Sequence, residues 1–320
     1  WGTPAALTTG APDPQTVALA VGADGTAVAV WDRYDGSNYR IYAAVRSSSG
    51  VWGTPAAIST AGSMALNPKV AIDATGNAVA AWEQGGVQAA RYSGGAWGSP
   101  QTVGSTGADQ PRVAMNATGE TALVWRRSDG TNTRTEAATR SGSGAWSAVS
   151  VISASGRDAQ SPNVAVTPAG AMVATWIRSD GTNTLVQTSE RPSGGAWGAG
   201  VSRSAAGQNA TGPQIASHAD GGIVLTWTRY DGTAWRVQAI ERTGAGTWGS
   251  VSDMSDPAQN GFGPSVATSA NGATWKVARG VLPVTSAASR DPLNPLLAGG
   301  FLAFGAQASN KTWTTSLRNL

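Results

Sequence analysis

A polar loop with side chains that could bind a ligand recurs four times in the chain. Each copy begins with Arg and contains an Asp-Gly pair, followed or flanked by Asn, Tyr or Trp. Arg donates in a planar fork, Asp and Asn oxygens accept from hydroxyl groups, and aromatic faces stack on the C–H groups of a sugar. These residue types predict a saccharide site. The candidates are Arg33, Tyr34, Asp35, Arg127, Asp129, Asn132, Arg178, Asp180, Asn183, Arg229, Tyr230, Asp231 and Trp235.

The same residues have a purely structural interpretation. Trp and Arg two positions apart share one face of a strand, so Arg127 is expected to lie over Trp125 as a cation–π pair. Each loop Arg is expected to pair with its Asp, and the Asp-Gly pair predicts a tight hairpin turn. Both interpretations stay open, and the aromatic residues Tyr34, Tyr230 and Trp235 favour the first and last copies as ligand sites.

Two columns of Trp show that these loops belong to a repeat of about 50 residues, a period typical of propeller blades, solenoids and arrays. One Trp follows a Gly-rich turn, and the other ends an apolar run. The Gly-turn column contains Trp1, Trp52, Trp97, Trp146, Trp197 and Trp248. The apolar-run column contains Trp31, Trp82, Trp125, Trp176, Trp227 and Trp275. A Trp that recurs in register indicates a repeated packing role, and we expect both columns to be buried between neighbouring repeats.

Within a repeat the apolar runs are short, rich in Val, Ala, Ile and Thr, and bounded by turn residues, which predicts strands rather than helices. Four strands are expected per repeat. The first begins near Pro68, Pro111, Pro162, Pro213 and Pro264, and the fourth begins at the Gly-turn Trp. Four antiparallel strands in about 50 residues describe one blade of a β-propeller.

The fold expected from this pattern is all-β, a single six-bladed β-propeller over residues 1–320. Trp1 opens a fourth strand before any first strand has occurred, so Trp1 to Leu7 is expected to close the last blade and remove two sheet edges. Residues 276–320 depart from the repeat and form an atypical last blade. Gly300 to Gln307 is its candidate third strand, with Trp313 in the place of the Gly-turn Trp.

Polar residues at both ends of the first strand are candidates for the central channel of such a propeller. Loops between repeats carry Asn67, Asp109 and Asp158, and the far end of the strand carries Asp73, Asn116 and His218. Solvated loops explain the first set, and one repeat's variant of a polar position explains His218. Oxygens on the axis could also hold calcium, which would permit a metal-assisted hydrolase at the channel mouth.

The Gly-rich turns resemble a known motif. Ser47, Gly50 and Trp52 in the first repeat, and Ser141, Gly144 and Trp146 in the third, are similar to the Asp-box of sialidase-like propellers. The boxed Asp is missing and the Gly-to-Trp distance is one residue shorter. The resemblance implies a six-bladed and often secreted propeller with a structural box, and it transfers no catalytic residue. Similarity to fucose-binding lectins is architectural, because Glu is too scarce to map their Arg, Glu and Trp triad.

Composition excludes several classes of function. The chain has no Cys, which excludes disulfides and thiolate metal sites, and a single His makes a zinc site or a Ser-His-Asp triad improbable. The net charge of +3 is scattered, with no basic stripe for nucleic acid, and no apolar run reaches the roughly 20 residues that span a bilayer. We expect a monomer without a resident cofactor, exported to the cell exterior, that binds a glycan or cell-surface ligand. The alternatives are the channel hydrolase and a structural interaction module of a larger surface protein.

Overall fold

The computed structural model describes residues 6–8, 14–255, 260–268, 275–277, 304–307 and 313–316, and all regular structure in these ranges is β-strand. No helix in this part of the chain is long and apolar enough to cross a membrane. The chain divides into two compact units, residues 1–151 and residues 152–320. Trp1 to Ala5, most of the expected closing strand, lies outside the described residues.

The first unit contains three antiparallel sheets whose strands follow one another in chain order. The first sheet contains β1 (Val17–Val21), β2 (Ala27–Tyr34), β3 (Tyr39–Arg46) and β4 (Ala56–Ala57). The second contains β5 (Leu66–Ile72), β6 (Ala78–Glu83), β7 (Val87–Ser93), the two-residue β8 (Ala96–Trp97) and β9 (Gln101–Gly104). The third contains β10 (Ala108–Met115), β11 (Thr121–Ser128), β12 (Thr133–Arg140) and β13 (Ser150–Val151).

The second unit repeats the arrangement. The fourth sheet contains β14 (Ala159–Val166), β15 (Met172–Ser179), β16 (Thr184–Arg191) and β17 (Val201–Ser202). The fifth contains β18 (Ala210–Ser217), β19 (Ile223–Tyr230), β20 (Trp235–Arg242) and β21 (Ser252–Asp253). Two hairpins follow, β22 (Val266–Thr268) with β23 (Trp275–Val277) and β24 (Phe304–Gln307) with β25 (Trp313–Ser316). Five successive meanders, four of them four-stranded and the second with the additional two-residue β8, confirm the predicted blade, while the count of six blades stays a prediction.

The apolar-run Trp column forms the core between neighbouring sheets, as predicted. Trp82 packs among Val28, Val30 and Ile41 of the first sheet, and Trp227 packs among residues of the fourth. Trp82, Trp125, Trp176 and Trp227 have no exposed surface, and Trp31 is 3% exposed. Burial of one such ring contributes about 4–6 kcal/mol as an upper bound. These rings therefore account for much of the cohesion between sheets.

The Gly-turn Trp column differs from the prediction in two ways. Trp52, Trp97, Trp146, Trp197 and Trp248 are only half-buried. In four of the five sheets the fourth strand begins four residues after this Trp, for example at Ala56 after Trp52, whereas Trp97 lies in β8. Trp52 and Trp248 pair with the third strand only through isolated bridges, to Arg46 and Arg242. The chain then leaves the sheet before the short fourth strand, and this detour leaves one side of the Trp ring open.

Candidate functional site

The Asp of each repeated loop caps the turn that contains it. Oδ1 of Asp129 accepts hydrogen bonds from the backbone N–H groups of Thr131 (3.0 Å) and Asn132 (2.9 Å), and the Asp129 N–H donates to the Asn132 carbonyl. Asp35, Asp180 and Asp231 make the same pair of contacts. The loop is thus a four-residue hairpin connection, from Asp129 to Asn132, rather than a two-residue Asp-Gly turn.

The loop Asp pairs with an Arg other than the one predicted. The partner is the Arg five residues downstream on the third strand, as in Arg134 with Asp129 (3.2 Å) and Arg236 with Asp231 (2.6 Å). Backbone N–H donors at the turn hold the pKa of Asp129 and of Asp231 below the usual range for a carboxyl. In the copy that carries Asp180, Leu185 stands at the Arg position.

The loop Arg residues tie the loop to the preceding connection between sheets. Arg178 Nη2 donates to the Ser155 carbonyl (2.9 Å), and Arg229 donates to the carbonyls of Ala205 (3.3 Å) and Ala206 (3.1 Å). The guanidinium hydrogen-bonding capacity proposed for a sugar is therefore partly used inside the protein.

The predicted stacking of Arg127 on Trp125 is wrong. Glu136 on β12 accepts from both side chains, from Trp125 Nε1 at 2.8 Å and from Arg127 Nη1 at 3.2 Å. The two residues do share a face of β11, as their spacing predicts. A buried carboxylate attracts the guanidinium more strongly than an aromatic ring does, which explains the difference.

Aromatic side chains at the first and last loops stay at the surface. Tyr34 is 37% exposed and lies against Tyr39, with ring centroids 5.6 Å apart. In the fifth sheet the rings of Tyr230 and Trp235 are 5.4 Å apart, and Phe262 extends the row. Arg33 lies over the ring of Tyr42 at 5.9 Å. The aromatic half of the predicted loop site is thus present.

The candidate channel residues are engaged in turns and ion pairs. Asp73 accepts from Thr75 and Asn77, and Asn116 accepts from Thr118, so both cap the first hairpin of their sheets. His218 Nδ1 lies 2.8 Å from Asp220 in the corresponding turn. Asp109 accepts two hydrogen bonds from Arg126, of 2.6 and 2.8 Å. The carbonyl of Asp158 accepts from the backbone N–H of Ser179, and Asn67 is exposed.

No group of three His, Asp or Glu side chains that could hold a metal ion occurs among the described residues. The expected calcium on the axis and the metal-assisted hydrolase therefore find no ligand set in that part of the chain.

The half-buried Gly-turn Trp residues lie in grooves between sheets. A groove of about 990 Å³ between the first and second sheets is lined by Trp52, Tyr92 and Trp97, and the rings of the last two are 5.4 Å apart. Polar side chains complete its lining, among them Ser47, Thr54 and Asn77. A second groove, of about 580 Å³ between the second and third sheets, is lined by Arg91, Trp97, Gln101 and Arg140.

At the corresponding place in the second unit, charged side chains gather around one carboxylate. Glu190 accepts from Trp248 Nε1 (2.6 Å), Arg242 Nε (2.8 Å) and Arg203 Nη2 (3.1 Å). The guanidinium of Arg203 also lies over the Trp248 ring, 4.2 Å from its centroid. An arrangement of Arg, Glu and Trp, which the scarcity of Glu argued against, is therefore assembled here, as it is at Glu136 with Trp125 and Arg127.

Sequence reasoning missed these grooves because it treated the Gly-turn Trp column as core. A signal was available at the end of the third strand, five or six residues before the Trp. That position holds Arg46, Tyr92, Arg140, Arg191 and Arg242, large polar or aromatic residues rather than core residues.

No protein-family profile and no curated protein matches this sequence. Among solved structures, a protein of unknown function from Dyadobacter fermentans has a TM-score of 0.52 and 13% identity over 73% of this chain and 80% of its own. An ulvan lyase of polysaccharide lyase family PL25 has a TM-score of 0.50 and 11% identity over 72% and 69%. A lectin from Aleuria aurantia matches over 94% of both chains with a TM-score of 0.48 and 13% identity. Identities this low bear on the fold alone, and the first two matches together with the five meanders indicate a β-propeller fold.

Proposed function

We propose that this protein is a carbohydrate-binding β-propeller without catalytic machinery, which binds saccharides in the grooves between its sheets. The observation that carries the proposal is the groove between the first and second sheets. It presents the half-buried rings of Trp52, Tyr92 and Trp97 beside hydroxyl and amide groups.

The lining of this groove suits a saccharide better than a purely apolar or a highly charged ligand. Aromatic rings offer flat faces for sugar C–H groups, and Ser47, Thr54 and Asn77 offer donors and acceptors for hydroxyls. Its volume lies within the range of about 300–1,000 Å³ that is usual for small-molecule sites. The ulvan lyase of similar fold was solved with a polysaccharide fragment bound, and this supports the fold as a scaffold for such ligands.

The repeated loops serve as secondary sites in this proposal. Their charged groups are largely occupied within the protein, whereas the rows of Tyr34 with Tyr39 and of Tyr230 with Trp235 stay available for stacking. Several weak sites on one molecule increase the apparent affinity for a polymeric ligand. Six blades closed by the N-terminal residues, an extracellular location and a monomeric state belong to the same proposal, and the Asp-box likeness of the Gly-rich turns supports them.

A glycan array followed by calorimetry tests the proposal. We expect binding to at least one class of oligosaccharide, with the affinity reduced about 10-fold or more in Trp97→Ala and in a groove-filling variant, Ala56→Trp, at an exposed position of the lining. Tyr34→Ala is the matched control, because it removes an exposed ring outside the groove. A folded protein that binds no glycan would contradict the proposal, as would the release of new reducing ends from a bound oligosaccharide.

A further inference from the structure

Equivalent positions of the repeat hold different charges in the two units, and Arg91 occupies the position at which the second unit has the carboxylate of Glu190. The template is Glu190 at the contact of the fourth and fifth sheets. Its carboxylate receives the indole N–H of Trp248, the Nε–H of Arg242 and one N–H of Arg203.

Strand register defines the equivalent residues in the second and third sheets. Glu190 pairs with Val173, three residues before Trp176, and Arg91 pairs with Val79, three residues before Trp82. Arg91 therefore stands where the template has its carboxylate.

The two principal donors of the template, Arg242 and Trp248, have counterparts in the third repeat. Arg140 precedes Trp146 by six residues, as Arg242 precedes Trp248. Each Arg is the last residue of its third strand and pairs with the first residue of the second strand. Arg140 lines the second groove and its guanidinium lies over the ring of Trp146, so both donors have counterparts here without the Glu.

Both donors are unsatisfied in the second groove. Trp146 Nε1 and Arg140 Nε are buried and have no hydrogen-bond partner, whereas the same atoms of Trp248 and Arg242 donate to Glu190. An unpaired buried donor is unfavourable, so two in one place indicate a missing acceptor.

The charge balance points in the same direction. Arg203, Glu190 and Arg242 together carry one positive charge. Their counterparts Val103, Arg91 and Arg140 carry two, because Arg91 stands in the place of Glu190. No carboxylate of a described residue lies within ion-pair distance of Arg91 or Arg140. Burial, and then the charge of Arg91, lower the pKa of Arg140, in agreement with this geometry.

We propose that the groove between the second and third sheets binds the carboxylate of a uronic acid in an acidic saccharide. The carboxylate takes the position that Glu190 has in the template, accepting from Trp146 Nε1 and Arg140 Nε, with Arg91 as the counter-charge and the Trp97 ring beside the sugar. The guanidinium of the half-buried Arg140 lies over the Trp146 ring, 6.0 Å from its centroid, so binding of the acid requires Arg140 to change its rotamer. The inference rests on the proposed carbohydrate binding and specifies the class of sugar.

Calorimetry with trigalacturonate and with its methyl ester, in which each carboxylate is replaced by a neutral ester group, tests the inference. We expect wild-type protein to bind the acid at least about 10-fold more tightly than the ester. Arg140→Gln should abolish this preference. Arg91→Glu should also abolish it, because the new side chain supplies the carboxylate internally, and it should raise the melting temperature by a few degrees. Arg91→Gln, which removes the charge without supplying an acceptor, should weaken binding of the acid without this stabilisation.

The outcomes separate this inference from the proposed function. Equal affinity of wild-type protein for acid and ester would overturn the uronate site and leave carbohydrate binding in place. Preference for the acid that survives in Arg91→Glu would overturn it as well. If neither compound binds to folded protein, the uronate site is overturned, whereas carbohydrate binding itself fails only if the glycan array also shows no ligand.

Discussion

At the scale of single residues, the position before each first-strand Pro is conformationally strained. The second to fifth sheets have a β-bulge there, and the residue before the Pro takes a positive φ whatever its type: Asn67, Gln110, Ser161 and Gly212, and likewise Gly263 before Pro264, with φ between 52° and 63°. Residues with a Cβ atom are sterically strained in this left-handed backbone conformation, whereas Gly is not.

The strain predicts that Ser161→Gly stabilises the protein by about 0.5–1 kcal/mol, because relief of the left-handed conformation exceeds the added entropy of the unfolded chain. Urea denaturation measures the change. Gly212→Ala at the equivalent position should destabilise by a similar or larger amount. A Ser161→Gly variant that is less stable than wild type would contradict the assignment of strain.

Two buried Trp rings of the same column differ in one hydrogen bond. Trp227 Nε1 donates to Gln238 at 3.0 Å, whereas Trp176 Nε1 has no partner. Trp227→Phe should therefore cost about 1 kcal/mol more unfolding free energy than Trp176→Phe, since the cavities are alike and only one substitution also removes a hydrogen bond. Denaturant titration of both variants measures the difference, and equal losses would show that the bond contributes nothing.

Lys69 on β5 makes the free energy of unfolding depend on pH in the alkaline range. Burial first, and then the neighbouring Arg112, lower its pKa to about 8, although Glu83 and Asp32 oppose the shift. An unfolded Lys titrates near 10.4. The unfolded chain therefore binds more protons than the folded one between about pH 8 and 10, so the free energy of unfolding rises with pH in that window.

Lys69→Met should remove this rise and should stabilise the protein at pH 7 by about 1–3 kcal/mol, since the buried charge is gone. Urea denaturation of variant and wild type at neutral pH and near pH 9.5 measures both effects, and tyrosine ionisation is common to the two proteins. Parallel pH profiles would contradict the lowered pKa.

At the scale of elements, the second-to-third-strand hairpin of the fifth sheet is built from two independent sets of contacts. The Asp caps its own turn and pairs with an Arg of the third strand, and the loop Arg binds carbonyls of the connection that precedes the sheet. The hairpin thus orders a neighbouring loop as well as itself.

Arg229→Gln should increase amide hydrogen exchange in residues 203–210 about 10-fold, because the carbonyls of Ala205 and Ala206 lose their donor. Arg236→Gln is the matched control: it breaks the pair with Asp231 and leaves the tie to the connection intact. Exchange that increases equally in both variants would show that the hairpin and the connection are not separate.

At the scale of the whole molecule, the proposed closed ring makes the N-terminal residues part of the structure. Leu7 packs against the cluster of Ala29, Trp31 and Ala44, so this end of the chain contacts the core of the first sheet. Deletion of residues 1–7 should therefore lower the melting temperature by more than Leu7→Ala, which removes the described contact alone. Calorimetric melting curves compare the two, and equal effects would contradict closure by the preceding residues.

The sequence alone determined the repeat, the four-stranded sheets and the buried Trp column, because these depend on local periodicity and on one packing position repeated in register. Hairpin positions followed from Asp-Gly and Gly turns for the same reason. Only the tertiary structure decided which donors meet which acceptors. Glu136 takes Arg127 away from Trp125, and Glu190 joins Arg203 to Arg242 and Trp248 from another sheet. Such contacts depend on distances between strands far apart in the chain, which residue spacing does not contain, and they decide where donors are left over for a ligand.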